Sequence, residues 1–556
     1  MKPPSDDWSV GCRPSGQRAY VFDHEVPREL PFFSQVLTVL FFGALLVSPA
    51  NAQYPGAQPV PADLKSGFDA IKTGDAKRIL TYLATRCDGR GTGQKGFKKA
   101  AKFVAGEFKR IGLKPLGGQA SYFQKAEISA GWDVRIKFRG PGGTLKLDPK
   151  NYQFNHNDSF WFHGPATGAG PPVFIEYAGK PAKLPQAADL KQKVAFFYPR
   201  GDLISEDSDS ESDNEMAFNL ALRQAQPAAI FVLVDKFEEV QKNGLTQMGT
   251  SHGPEWKLAD EPIQQVSPGY GLISVRELPA LLKMAGVSNL TVPSRGSAAV
   301  TFGSEPLSFE ITGHVEKVKT ENVVGLLEGS DPVLKSEYVV VGAHLDHFGV
   351  QDGRTYPGAD DDGSGSTAVI EVAKAMAANP KRPRRSIVFV TFFGEEQRYL
   401  GSRYFVAHPP VPLAKVVTML QMDDVGRDSE GPQQQERPTT DRASENMDTV
   451  RLVGSRRAST ELDEVVRKMN AFVGLHLLED AEYVFHRSDQ ASFARKGIPV
   501  CWWFTGYNLD WHEPTDTVDK IDWLKLTSIT KHVYLSAHAL ADADSPPAHN
   551  VEKPGR

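Results

Sequence analysis

The chain has 556 residues, 40% hydrophobic and 24% charged, a globular composition long enough for two or more domains. A formal net charge of -5 leaves no basic footprint and argues against a nucleic-acid partner. Three cysteines do not argue for a disulfide framework.

Residues 31–49 are uncharged and apolar, densest over 36–47, and Ala50-Asn51-Ala52 follows as a small-x-small cleavage site. That pattern predicts a secretory signal peptide over 1–52. The apolar part is short for a membrane span, so no stable span is expected after cleavage. Asp6, Asp7, Asp23, Glu25 and Glu29 do not suit a positive leader, which points to a start assigned too far upstream. Cleavage after Ala52 would leave Cys87 and Cys501, and export with so few cysteines fits a secreted or periplasmic protein.

Residues 53–64 form a Pro-rich tether. Over 68–83 and 96–112 apolar residues recur at helical spacing, most clearly Phe103, Val104, Phe108 and Ile111. Between them Cys87-Asp88-Gly89-Arg90-Gly91-Thr92-Gly93 is a glycine-rich turn, expected to be a plain helix-loop-helix connection. From about Ile128 short β-branched and aromatic runs appear at 134–138, 173–177, 194–198 and 228–234, and predict a separate sheet-rich domain over 128–302. Within it the Ser/Asp/Glu tract 206–215 reads as a solvated loop.

After Phe309 strand-like segments at 322–327, 338–343, 387–393, 416–422, 450–454 and 498–504 alternate with helical patterns that include 366–378 and 521–540. This alternation predicts an α/β domain with a largely parallel sheet covered by helices on both faces. Residues 426–448 read as a polar surface loop, and 546–556 as a tail.

The chemistry gathers where these strands end. The run 338–343 closes on His344-Leu345-Asp346, and a loop follows that ends Pro357-Gly358-Ala359-Asp360-Asp361-Asp362-Gly363. The next strand closes on Glu395-Glu396, the run 415–422 ends in Asp423, and His512 follows the strand 498–504. In an open α/β sheet a ligand sits at the carboxyl ends of the strands, where these groups can share one crevice. Imidazole and carboxylate without thiolate are ligand types that hold divalent zinc.

Taken in order, His344-Leu345-Asp346, the loop 357–365, Gly394-Glu395-Glu396 with Leu400-Gly401-Ser402, Gln421-Met422-Asp423, Arg487-Ser488-Asp489 and Trp511-His512 resemble the secreted di-zinc aminopeptidases of the bacterial leucyl aminopeptidase, aminopeptidase Y and glutamate carboxypeptidase group. The resemblance covers roughly 64–127 and 307–541, and the β-rich region resembles the protease-associated (PA) domain inserted in that family. It implies a zinc-exopeptidase (phosphorylase/hydrolase-like) fold: a mostly parallel twisted sheet flanked by helices, in a peptidase domain formed by 53–127 and 303–545.

The resemblance also implies two Zn2+ ions bridged by Asp361, one completed by His344 and Asp423 and the other by Glu396 and His512. Glu395 falls at the general base. Asp346 would accept the proton of the far imidazole nitrogen of His344, and the Asp361–Asp362 peptide would be cis. These ligands carry a net charge of about -3 against +4 from the ions. Asp360 and Asp362 read as loop-shaping groups, and His347 and His486 as lining the cleft or as polar residues on its rim. Asp424 departs from the family, which commonly has an apolar residue there.

The expected activity is release of amino-terminal residues from peptides. A carboxypeptidase of the glutamate type, a cyclase acting on amino-terminal glutamine, or a non-catalytic binding scaffold would use the same fold. All five ligand positions and the base are present, which argues against the scaffold. Neither side-chain preference nor oligomeric state is encoded in these motifs.

Overall fold

The apolar runs that end in candidate ligands form the centre of one large sheet. The computed structural model describes residues 53–550 except 119, 154–165, 179–189, 201–226, 236, 239–255, 261–268, 292, 294–297, 352 and 429–445. The expected leader, the acidic tract, the terminal tail from 551 and most of the loop 426–448 lie outside the described residues. All described residues fall in one unit, Val47–Arg556.

The elements that position the site are, in chain order, α1 (Thr73–Arg86), α2 (Lys95–Ile111), β1 (Phe123–Gly140), β2 (Leu307–Leu327), β3 (Tyr338–His344), α3 (Gly363–Ala378), β4 (Ser386–Phe392), α4 (Leu400–Ala407), β5 (Val416–Met422), β6 (Thr449–Val453), β7 (Val500–Phe504) and α5 (Trp523–Asp542). Their order across the sheet is β6-β7-β5-β3-β4-β2-β1.

The centre of this sheet is parallel, since β3 pairs in parallel with β4 and β5, and β5 with β7. On either side of that centre the pairing turns antiparallel, through β7 with β6 and through β4 with β2 and β2 with β1, while the short edge strand His476–Leu478 pairs in parallel with β6. The sheet is therefore mixed, where a largely parallel one was expected. Its antiparallel side exists because the chain leaves along β1 and returns along β2. Their ladder runs unbroken in direction from Phe123↔Val323 to Arg139↔Ser308, so β1 passes straight through the expected boundary at residue 128.

Successive residues of the central strands feed opposite faces, as a pleated strand requires. Val339, Val341 and Ala343 of β3 join a core with Leu80 of α1, Val104 of α2, Val372 of α3 and Val533 of α5. Val340 joins another core with Val388 and Val390 of β4 and Phe405 of α4. Burial on both faces is why these strands read as continuous apolar runs.

Helix ends follow local chemistry. α2 stops at Gly112, whose φ of 87° returns its N–H to the carbonyls of Lys109 and Phe108. The Asp362 carboxylate caps α3 by accepting the N–H of Gly365 at 2.8 Å. The helix expected over 68–83 is divided into Lys65–Ala70 and α1. At the break, Lys72 donates its N–H to Glu371 of α3 at 3.4 Å instead of continuing the helix.

Between β1 and β2 the chain builds a second sheet of six strands, in the order Ala298–Phe302, Pro172–Ala178, Val194–Arg200, Ala229–Val234, Gly269–Ser274, Tyr152–Gln153. Its core includes Phe196 and Phe231, and also Phe138 of β1 and Phe309 of β2. Among the described residues no helix is long and apolar enough to cross a membrane.

Candidate metal centre

His344 is the last residue of β3, Glu395 and Glu396 follow β4, and Asp423 follows β5, so three parallel strands release their final side chains into one crevice. Asp361 comes from the loop before α3, and His512 from the segment between β7 and α5. The loop before α3 is held tightly. Gly358 has a φ of 53°, and a Cβ there would lie 2.2 Å from the Asp361 carbonyl. The Asp361–Asp362 peptide is cis, as the resemblance implied.

The Asp361 carboxylate divides the site. Its Oδ1 lies 3.2 Å from His344 Nε2, and its Oδ2 lies 3.1 Å from His512 Nε2. On the first side Asp423 Oδ1 is 3.3 Å and Glu395 Oε2 3.9 Å from His344 Nε2. On the second, Glu396 Oε2 is 3.6 Å from His512 Nε2. All of the expected ligand residues, and Glu395, are thus brought together. Three groups of candidate ligand atoms each lie within 4.8 Å of one another: His344 with Glu395 and Asp423, His344 with Asp361 and Glu396, and Asp361 with Asp423 and Asp424.

The electrostatics are those of an anionic pocket. Burial, with Asp423 and Asp489 adding to it against His344, pushes Glu395 well above the usual carboxylate range. Burial first, then Asp361 and Glu395, do the same to Glu396. Burial would also raise Asp361, but His347, His344 and His512 outweigh it and hold that carboxyl well below its usual range. Burial pushes Asp489 up to about 7. Oxygen-rich, imidazole-bearing and short of positive charge, this donor set fits divalent cations.

Asp346 departs from its expected contact. The far nitrogen of His344, Nδ1, lies 3.1 Å from the main-chain carbonyl of Asp346, while the Asp346 carboxylate is 3.8 Å away. That carboxylate instead accepts the Glu395 N–H at 3.1 Å and the Thr92 hydroxyl at 2.9 Å. The tautomer of His344 is therefore set by a backbone carbonyl, and Asp346 acts on the position of Glu395.

Asp362 accepts the His344 N–H at 3.0 Å, and Asp360 accepts the Gly426 N–H at 2.7 Å, so both hold loops. Asp424, at a φ of 54°, faces the ligand group rather than pointing away. His347 is not a rim residue: it is buried, and its Nδ1 lies 2.7 Å from Glu396 Oε1. His486 is exposed beside Phe485. Trp511 stacks on His512 at 3.5 Å between centroids, and Phe348 packs on its ring at 4.6 Å, which fixes an imidazole whose own φ is 60°.

Ser488, from the Arg487-Ser488-Asp489 run, donates to Asp423 Oδ2 at 2.6 Å. Other contributors lie where the sequence shows no site pattern. Asp516 accepts the N–H groups of Asp360 and Asp361 at 2.9 and 3.2 Å. Arg90 and Thr92, in the turn expected to be a plain connection, also meet the centre.

Residues 322–537 match the model of peptidase family M28, a span that includes every candidate site residue from His344 to His512. A probable leucine aminopeptidase of Arthroderma otae is 29% identical over 222 residues, covering 38% of this chain and 57% of that protein. A probable zinc metalloprotease of Leptosphaeria maculans is 33% identical over 186 residues, covering 32% of this chain and 40% of that protein. The chain thus spans a little over half the length of the leucine aminopeptidase it matches. In fold it is similar to the aminopeptidase from Aneurinibacillus sp. strain AM-1, with a TM-score of 0.50 at 18% identity, covering 89% of this chain and 99% of that one.

Proposed function

We propose that this chain is an exported zinc aminopeptidase that removes amino-terminal residues from peptides, using two ions bridged by Asp361. The M28 match over 322–537 and the names of the relatives support the reaction class. One observation carries the two-ion reading: the single Asp361 carboxylate has His344 on one oxygen and His512 on the other, at 3.2 and 3.1 Å. The apolar stretch 31–49 with Ala50-Asn51-Ala52 supports export.

In this reading His344 and Asp423 hold one ion, Glu396 and His512 the other, and Asp361 both. Zinc bound there supplies a Lewis acid for the scissile carbonyl and makes an attacking water acidic. Glu395 takes the proton of that water and returns it to the leaving amine. It is free to do so because its neighbour Glu396 faces His512, while its own N–H is fixed by Asp346. A base held by its backbone keeps its carboxylate aimed without being a ligand itself.

Metal analysis and turnover of aminoacyl-nitroanilides on three variants test the assignment. The wild type should hold two zinc ions per chain. Glu395→Gln should keep both and lose roughly 100- to 10,000-fold in rate. Glu396→Gln should lose one ion, and Asp361→Asn should disturb both, because it removes the charge that holds two dications close together. Loss of an ion from Glu395→Gln with both retained in Glu396→Gln reverses the roles. Equal cleavage of peptides with free and acetylated amino termini overturns the aminopeptidase reading.

A further inference from the structure

We propose that the turn Cys87-Asp88-Gly89-Arg90-Gly91-Thr92-Gly93 is a clamp on the metal centre, with Arg90 and Thr92 as positioning residues; this rests on the two-zinc reading above. Arg90 is fully buried, and its guanidinium hydrogen-bonds to main-chain carbonyls. Nε donates to Leu345 at 2.8 Å, Nη1 to Pro357 at 2.7 Å and to Leu83 at 3.3 Å, and Nη2 to Gly358 at 2.7 Å. Leu345 lies between His344 and Asp346, while Pro357 and Gly358 lead into Asp361. One planar fork therefore ties the segment that carries one imidazole to the loop that carries the shared carboxylate. A lysine offers a compact ammonium in place of five donors in a fixed plane and cannot span the same carbonyls.

The turn that carries this side chain is itself held by close backbone contact. Gly89 has a φ of 67°, and a Cβ there would lie 2.3 Å from the Tyr356 carbonyl and 2.6 Å from that of Gly349. Gly91 forms a parallel bridge with His347, whose N–H donates to the Arg90 carbonyl at 3.4 Å. Burying a guanidinium is costly unless every donor is answered, so the carbonyls cannot drift without leaving it unsatisfied.

Thr92 extends the clamp to the proposed base. Its hydroxyl donates to Asp346 Oδ2 at 2.9 Å, and Asp346 Oδ1 accepts the Glu395 N–H at 3.1 Å. Removing the hydroxyl frees the Asp346 carboxylate to turn, and the Glu395 backbone loses a fixed partner. The effect falls on the aim of Glu395 and not on the ligands.

The test uses the full chain, with Thr92→Val, Thr92→Ser and Arg90→Lys. Thr92→Val should keep two zinc ions, while kcat falls about tenfold at unchanged KM. Thr92→Ser, which keeps the hydroxyl, should restore most of the rate. Arg90→Lys, checked for folding by circular dichroism, should bind zinc at least tenfold more weakly in competition with a chelator. Wild-type kcat in Thr92→Val, no recovery in Thr92→Ser, or wild-type zinc affinity in folded Arg90→Lys overturns the clamp. Should Arg90→Lys fail to fold, the Thr92 pair decides. A wild-type chain that binds no zinc overturns the two-zinc reading together with the clamp, whereas zinc-binding wild type with unaltered variants overturns the clamp alone.

Discussion

Asp516 stands four residues beyond His512, yet one of its carboxylate oxygens accepts the N–H groups of Asp360 and Asp361, at 2.9 and 3.2 Å. The shared carboxylate is thus positioned from the same segment that supplies an imidazole. Asp516→Ala would leave two buried N–H groups without a partner, a loss on the order of 3 kcal/mol. The expected outcome is a lower melting temperature and weaker zinc retention, with Asp516→Asn close to wild type because it keeps an acceptor oxygen. Asp516→Ala with unchanged zinc content would remove Asp516 from the support of the centre. His344, the aspartate run 360–362, the Glu395-Glu396 pair and Asp423 stood out in the sequence because each closes a strand or leads into a helix, whereas the choice of Asp361 and Glu396 within their runs rested on the family resemblance. Arg90, Thr92 and Asp516 did not stand out. Thr92 meets Asp346 across 254 residues of chain, and nothing in a glycine-rich turn marks that contact in advance. Asp346 was legible as a supporting residue, but whether its carbonyl or its carboxylate would face His344 depends on a backbone path that residue types do not specify.

At the scale of elements, legibility followed burial. β3, β4 and β5 are buried along nearly their whole lengths, and their apolar runs gave their positions within a residue or so. β2 is different: from Gly313 to Lys319 it is largely exposed, and over 307–311 buried residues only alternate with half-buried ones, so only the nearly continuous buried stretch 322–327 stood out. α5 was legible from its apolar spacing, but its buried polar contacts were not. His532 of α5 accepts the Trp503 indole N–H of β7 on Nδ1 at 3.0 Å, which leaves the proton on Nε2, 2.8 Å from the Val466 carbonyl. Burial lowers its pKa from the ordinary 6.5 to about 4. The folded protein therefore binds this proton less readily than the unfolded chain. The stabilisation is complete above the unfolded value and is lost as pH falls through the folded one, over a window worth about 3 kcal/mol. Urea unfolding at pH 7 and at pH 4.5 checks it: wild type should lose more stability on acidification than His532→Gln, by most of that amount. Equal losses in the two proteins would exclude His532 as a source of acid sensitivity.

For the whole molecule, two arrangements of apolar side chains share one pair of strands. The sheet between β1 and β2 has its own core, in which Leu281 is fully buried, and every proposed ligand lies in the other part of the chain. Against full independence stand the long β1–β2 ladder and Trp256, whose N–H donates to Gln397 at 2.9 Å beside the Glu395-Glu396 pair. A site that binds only the folded state adds about 4 kcal/mol at a ligand concentration of 1,000 times Kd, and adds it to the part that carries the ligands. A Leu→Ala change in a core removes about 2–5 kcal/mol from the part that contains the leucine. Each acts on one part alone, whereas the β1–β2 ladder and the burial of Trp256 and Leu258 in the ligand-bearing core link the two. If the β-rich insert is a separate domain, calorimetry of the zinc-loaded chain should show two transitions. Leu281→Ala should lower one of them, and chelation of zinc should lower the other. A single transition that both perturbations move together would mean that the ladder makes the two cores one cooperative unit, and that the β-rich insert is part of the catalytic fold and not a domain carried by it.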